Sequence, residues 1–298
     1  MSMLYDITLA IRYTYAAPAA SARTLLRMLP LSRAEQRLIT GLVEADPRPD
    51  YRTDGVDFFG NAMTEMAYDG RLSDVTFRFT GRVERDTAPR VLDLSCPIER
   101  LGRELTETAT IAPQSPHHFL GPSERIGPAP DIAAFARETC APGMSTLAVV
   151  QALSTRIHDE FTFDPKATDV GTSPAEAFRN RRGVCQDFSH VMISALRAID
   201  IPAAYVSGFL RTTPPPGRPR LEGADAMHAW VRAWCGQETG WVEFDPTNDV
   251  AAGQDHVSVA IGRDYADVAP VKGSLRTAGP HKTEHSVDVV PVAATEGA

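Results

Sequence analysis

The chain has 298 residues, 43% hydrophobic and 23% charged, which suits a globular protein with two domains and sizeable cores. Its 30 Lys and Arg against 38 Asp and Glu leave a formal charge of −8 with no basic stripe to offset it, which excludes a general nucleic-acid binder. No stretch approaches roughly 18 apolar residues and residues 1–8 lack a basic region followed by an apolar run, so neither a membrane span nor a secretory leader is expected.

The predicted elements begin with strands. Residues 6–13 and 75–83 alternate as half-buried strands do, and Phe59-Gly60-Asn61-Ala62 supplies a hairpin turn. A less regular stretch rich in Pro, Ser and Gly, between residues 113 and 130, marks a boundary or a loop packed beside a site. Helical periodicity follows in residues 132–136 and 147–157. Ser173-Pro174-Ala175-Glu176 is a capping box with proline at the first helical position, predicting a short helix that stops at Gly183. A second helix starts at Cys185, where Cys185, Phe188, Met192, Ala195 or Leu196, and Ile199 form an apolar stripe.

Strands return at residues 205–210, 226–234 and 241–244, the last two joined through the polar turn 235–240 as a hairpin. His228, Trp230, Arg232 and Trp234 share one face of the first arm. Further strand-like runs lie at 256–261 and 286–290. The expected architecture is α+β, with a β-rich antiparallel domain over residues 1–115. Residues 116–298 would form a catalytic domain of helices against an antiparallel sheet, the C-terminal strands included.

Three residues in this framework offer one chemistry. Cys185 sits in the first turn of its helix, where unpaired N–H groups and the positive end of the dipole favour a thiolate; Arg179, Arg181 and Arg182 add positive charge nearby. A thiolate nucleophile needs an imidazole to pair with it and to protonate the leaving group, and that imidazole needs a group to hold its other nitrogen. The hairpin brings His228, near the start of one arm, close to Asp245 at the end of the other. Each residue also has a plain structural explanation: a buried thiol, an interior histidine, a turn aspartate before Pro246. The conjunction of the three favours catalysis.

The blocks 183–190 (Gly-Val-Cys-Gln-Asp-Phe-Ser-His), 225–231 (Asp-Ala-Met-His-Ala-Trp-Val) and 240–248 (Gly-Trp-Val-Glu-Phe-Asp-Pro-Thr-Asn) resemble the bacterial transglutaminase-like superfamily, in the family's order. Residues 255–268 resemble a segment that follows the core in the same group, and residues 5–83, including Phe58-Phe59-Gly60-Asn61, its β-rich amino-terminal domain. The resemblance implies a papain-like core in which Cys185 is the nucleophile, His228 the general base and acid, and Asp245 the orienting carboxylate. It implies acyl transfer on an amide through a Cys185 thioester, with a peptide or protein amide as substrate. Hydrolysis is the preferred outcome, transamidation or a non-catalytic interaction module the alternatives.

Other features are secondary. The Cys185 N–H would be one oxyanion donor, and the Gln186 side chain is a weak candidate for the second. Trp230 and Trp241 are weak candidates for lining a substrate cleft, with core packing the commoner fate of such residues. His190, five residues after Cys185, lies about 140° around the helix and is a poor base for it. The proline-rich segment 212–220 could flank the cleft, although a plain surface connection is the simpler reading. No C-x-x-C spacing occurs, and neither metal nor cofactor is expected. The cysteines at 96, 140, 185 and 235 follow no paired framework, which points to a reducing compartment, the cytoplasm by default. Nothing in the sequence sets an oligomeric state.

Overall fold

The structure is a computed structural model that describes residues 2–86, 92–212, 223 and 225–292. Its elements in chain order are β1 (Ser2–Leu26), β2 (Gln36–Asp46), β3 (Tyr51–Val56), β4 (Ala62–Tyr68), β5 (Leu72–Asp86), α1 (Ile98–Glu107), α2 (Pro130–Thr139), α3 (Thr146–Glu160), β6 (Thr162–Phe163), α4 (Pro174–Asn180), β7 (Arg182–Gly183) and α5 (Cys185–Arg197). After these come β8 (Ala203–Leu210), β9 (Ala226–Trp234), β10 (Trp241–Asp245), β11 (Val250–Ala251), β12 (His256–Gly262), α6 (Tyr265–Val268), β13 (Val271–Arg276) and β14 (His281–Pro291). Of the proline-rich segment 212–220, only Thr212 is among the described residues.

Alternation in β1 buries Tyr5, Ile7, Leu9 and Ile11 while Asp6, Thr8 and Arg12 face outward, as the period-2 pattern requires. The strand's first half lies between β5 and β14, and its second half pairs with β4 and β13. The break between the halves falls where the β5 register shifts after Thr14, with Ser21 in the left-handed region at φ 52. All seven strands of this sheet pair antiparallel.

Its composition differs from the division expected at residues 115/116. β13 and β14, assigned to the second domain, return to pair with β1, while α1, assigned to the first, packs Leu101 and Leu105 into the helical core. A β1 of 25 residues has more edge than β4 and β5 can pair, and the chain's end supplies the missing strands.

The second sheet runs β11-β10-β9-β8-β12, antiparallel throughout. Helix α5 is its central support. From Asp187 to Arg197 every residue is buried, because α2, α3 and α4 surround the helix on the sides the sheet leaves open. The apolar stripe was therefore only part of what is covered: Ser189, His190, Ser194 and Arg197 are enclosed as well. Arg197 spends its donors on the carbonyls of Ala203, Gly121 and Arg263. The helix before it ends at Asn180, earlier than Gly183, with Arg181 in the left-handed conformation that terminates helices.

The two sheets meet directly. Phe79 of β5 stacks on Phe209 of β8 with centroids 6.2 Å apart, and Val257 and Val259 of β12 join the core of the N-terminal sheet. The outer edge of β12 is paired by side chains. Gln36 donates to the Ser258 carbonyl and accepts from the Ser258 N–H, both at 2.8 Å, and Asn61 does the same with Ile261, also at 2.8 Å. Two amides thus imitate a neighbouring strand across the irregular register between Ser258 and Ala260. The Phe59-Gly60-Asn61 turn, with Gly60 at φ 84, presents one of them.

A buried ion pair completes the contact. Arg33, in the connection from β1 to β2, forms a two-pronged pair with Glu243 of β10, the second contact at 3.0 Å, and the Trp230 indole N–H donates to the same carboxylate at 2.8 Å. Burial disfavours the charged form of Glu243, but the Arg33 charge and hydrogen bond, the Arg232 charge and the Trp230 N–H outweigh it and bring its pKa from 4.5 down to about 2. A depressed carboxylate pKa contributes stability that is whole above about pH 4.5 and is lost as pH falls towards 2, here roughly 3 kcal/mol. Glu243→Gln, which leaves Arg33 buried without its counter-charge, is expected to cost about 3–5 kcal/mol at neutral pH and to flatten the acid limb of stability between pH 4.5 and 2. Denaturant titrations across that range check both.

Candidate active site

Cys185 is the first residue of α5 and is partly exposed. The local sequence makes a firm helix start although Val184, at the N-cap, has no side chain able to cap it. Asp187 reaches back to accept the Val184 N–H at 2.8 Å and receives the Thr168 hydroxyl at 2.6 Å. The backbone N–H groups of Asp187 and Phe188 bond to the Val184 carbonyl, whereas those of Cys185 and Gln186 have no carbonyl behind them in the helix. Negative charge at or beside the Cys185 sulfur is favoured by these N–H groups and by the dipole.

The hairpin supplies the other two groups. β9 and β10 pair from Trp234 opposite Trp241 to Val231 opposite Phe244, closed by a turn with Gly236 at φ 100 and Gly240 at φ 68. His228 donates from Nε2 to Asp245 Oδ2 at 2.8 Å, which leaves Nδ1 as the nitrogen for Cys185. Burial opposes charge on the His228 ring, but hydrogen bonds to Asp245 and Cys185 and the charges of both push its pKa up to about 10.

Asp245 has no exposed surface and accepts five hydrogen bonds. Oδ2 takes those of His228, the Asn248 side chain at 2.6 Å and His256 Nε2 at 3.2 Å; Oδ1 takes the backbone N–H groups of Thr247 at 2.9 Å and Asn248 at 3.3 Å. Burial alone would raise its pKa, and these partners, His228 first, hold the carboxyl well below the usual range.

The side-chain ligand atoms of His228, Asp245 and His256 lie within 4.8 Å of one another, a separation at which three such groups can share a cation. Their partners argue against that use. Oδ2 already accepts three donors, and Nδ1 of His256 accepts the Gly253 N–H at 3.2 Å, so the cluster is built as a hydrogen-bond network.

Residues 133–246 match the transglutaminase-like superfamily core, and residues 5–84 match the bacterial transglutaminase-like N-terminal region. An uncharacterised protein of Mycobacterium tuberculosis is 32% identical over 96% of this chain and 92% of its own length, and one of Mycobacterium leprae 31% identical over 94% and 96%. The chain belongs to the transglutaminase-like superfamily. A provisionally named cysteine protease of Cytophaga hutchinsonii has the same fold, with a TM-score of 0.73 at 20% identity, covering 100% of this chain and 93% of that one. A 108-residue stretch is 36% identical to a protein-glutamine gamma-glutamyltransferase of Pseudomonas aeruginosa, spanning 35% of this chain and 16% of that protein.

Within this superfamily member the remaining candidates fall in different places. Gln186 directs its amide to the Val170 carbonyl at 3.4 Å, in the loop before α4. Trp230, a weak candidate for a cleft, takes the commoner fate of core packing: it is fully buried, with its ring 5.1 Å from that of His256 and 6.2 Å from that of His228. Trp241 lies at the far end of β10 from Asp245, against Phe119 and bonded to the Gln114 carbonyl, beside a cavity of about 190 Å³ that also contains Arg33 and Arg232. Trp234 leaves the expected face and packs into the helical core.

The arginines before Cys185 are otherwise engaged: Arg181 stacks over Phe178 at 3.9 Å, and Arg182 pairs with Asp164 at 3.6 Å. His190 turns from the thiol and accepts the Tyr265 N–H at 3.2 Å, and burial drops its pKa to about 4. His256 is not among the site residues that the sequence singles out. It lies 11 residues after Asp245, in the segment 255–268 whose resemblance to the family carries no role for any one residue.

Gly208 makes room for this packing. It pairs with His228, and a Cβ there would stand 2.4 Å from the Trp230 ring and 2.2 Å from the Val257 carbonyl. Gly208→Ala is expected to cost about 1–3 kcal/mol and to displace Trp230 from its packing against the two imidazoles, read as a change in tryptophan fluorescence along with the lowered melting temperature. Asp245→Asn tests the electrostatics. Because the His228 ring is held protonated up to about pH 10, loss of the carboxylate should move its titration down towards 6.5, measured from its imidazole NMR signals.

Proposed function

We propose that the protein is a cysteine-dependent amide hydrolase acting on peptide, isopeptide or side-chain amides through a thioester on Cys185. The observation that carries this reading is the Cys185, His228, Asp245 series: a thiol at a helix start, with an imidazole whose Nε2 is fixed to a buried carboxylate and whose Nδ1 is left for sulfur. The Cys185 thiolate adds to the amide carbonyl carbon. The oxyanion gathers the Cys185 backbone N–H, a donor of a kind worth about 3 kcal/mol when removed. Collapse breaks the C–N bond, and the departing amine takes the proton from His228 Nδ1. Water then attacks the thioester as His228 accepts its proton, releasing the carboxylic acid and restoring the thiolate.

Loops beside the nucleophile suit an extended substrate. β6 and β7 pair Phe163 with Gly183, and Phe163 and Val170 expose apolar surface near Cys185. No helix among the described residues is long and apolar enough to cross a membrane. All four cysteines are unpaired, which supports a reducing, cytoplasmic setting.

Transamidation is the second reading, favoured by the similarity to the Pseudomonas aeruginosa glutamyltransferase; it replaces water by a primary amine at the second step. A panel of peptides and isopeptides offered in ¹⁸O-water with a labelled primary amine separates the two. The expected result is ¹⁸O in the product acid with release of amine or ammonia, abolished in Cys185→Ser. Label in the product with little ¹⁸O makes the protein a transamidase. Absence of turnover, together with a thiol that iodoacetamide labels only above about pH 8.5, leaves a binding module.

A further inference from the structure

We propose that His256 is a positioning residue of this site, a second imidazole that donates to the same Asp245 oxygen as His228 and so fixes the geometry in which His228 meets Cys185. The proposal rests on the thiol-hydrolase reading above and adds a fourth member to it.

The tautomer follows from the partners. The Gly253 backbone N–H donates to His256 Nδ1 at 3.2 Å, so Nδ1 carries no proton and the ring's N–H is on Nε2, where it donates to Asp245 Oδ2 at 3.2 Å. His228 donates to the same oxygen at 2.8 Å, and Trp230 packs edge-on to His256 and beside both rings. The arrangement depends on the curl of the sheet. His256 opens β12 and Asp245 ends β10, with β8 and β9 between them in strand order. Both are buried, His256 at 4% and Asp245 at 0% exposure.

His256 is itself fixed from the N-terminal sheet. Arg85 of β5, 2% exposed, donates from Nε to the His256 carbonyl at 2.9 Å, and two residues on Gln36 grips Ser258. The charged and titratable groups around the carboxylate are thus His228 from β9, Cys185 from α5 and His256 from β12, with Arg85 on the backbone of His256. Glu243 and Arg33 connect through the Trp230 indole. Asp255, the adjoining residue, is held by Arg211 at 2.6 Å and by the Tyr5 hydroxyl at 3.4 Å, and is thereby tied to β1. With both ring N–H groups on Oδ2, the carboxylate cannot turn that oxygen away from His228 without losing the His256 bond as well. Deletion of His256 leaves that rotation restrained by the Asn248 and Thr247 bonds alone.

The test measures alkylation of Cys185 by iodoacetamide in the full chain, followed on the Cys185 peptide by mass spectrometry between about pH 4 and 10. The other thiols provide a clean background, since burial raises the pKa of Cys96 and Cys140 and pushes that of Cys235 up to about 12. Wild type is expected to react well below the pH of a free thiol. His256→Phe, which keeps a ring of similar shape without the N–H, is expected to lower the rate at pH 6 about tenfold or more. His256→Gln, whose amide can accept from Gly253 and donate to Asp245, is expected to recover most of the loss.

A His256→Phe profile that superimposes on wild type overturns the proposal and leaves the hydrolase reading standing; so does a His256→Gln profile no better than Phe, which makes the role only structural. An ordinary thiol profile in wild type overturns the hydrolase reading and this proposal with it. A measurement on the unaltered protein covers the case in which the variants fail to fold: imidazole ¹⁵N shifts at pH 7 are expected to give His256 the Nε2–H form, and an Nδ1–H or doubly protonated ring overturns the assignment.

Discussion

Two carboxylates on one strand, Glu243 and Asp245, share a face of β10 two residues apart, Asp245 fully buried and Glu243 largely so. A buried charge is tolerated only when it is paired and hydrogen-bonded, so the molecule must bring partners to that face. Glu243 draws Arg33 from the N-terminal sheet and the indole of Trp230. Asp245 draws two imidazoles, an amide and two backbone N–H groups. Trp230 belongs to both systems, bonded to the first carboxylate and packed against the rings that serve the second.

This explains why the N-terminal sheet is more than an appendage. Arg33, Gln36, Asn61 and Arg85 all spend side-chain donors on β10 or β12, so these groups are satisfied away from water only while the two sheets are docked. The same contacts fix the strand carrying His256 and the strand carrying Asp245. Groups that must hold an imidazole to within a fraction of an ångström are better supported by strands tied at both ends than by loops. The helix supporting Cys185 is equally constrained, enclosed from Asp187 onward by three other helices and the sheet.

How much of this is legible in the sequence depends on the range of the interaction. Local signals hold: the alternation of β1 and β5, the Ser173 cap with its Pro174, the helix beginning at Cys185, and the hairpin that brings His228 to Asp245. Each is decided within a few residues by backbone sterics, caps or turn chemistry. What escapes is set by tertiary contact. Leu101 and Leu105, one turn apart, are too little periodicity to announce α1 against the irregular stretch around it. The pairing of β14 with β1 joins residues more than 250 positions apart, and nothing local in either strand specifies its partner. Trp230 reads as a strand aromatic equally suited to groove or core; only the absence of a side chain at Gly208, on the neighbouring strand, decides for the core.

The burial of Trp230 also bears on how the site is kept dry. Asp245 exposes no surface, and its five acceptor contacts are all to protein groups. In a low-dielectric setting such bonds are not diluted by competition with water, so the orientation of His228 is set by the protein alone. The proposed hydrolysis requires water on the other side of the imidazole, at Nδ1, where the proton would be exchanged with sulfur and substrate. The indole and His256 seal one side of the carboxylate system while the partly exposed Cys185 opens the other. In that proposal His228, 8% exposed, is the boundary between a region that excludes solvent to hold a charge in place and one that admits it for the thioester to turn over.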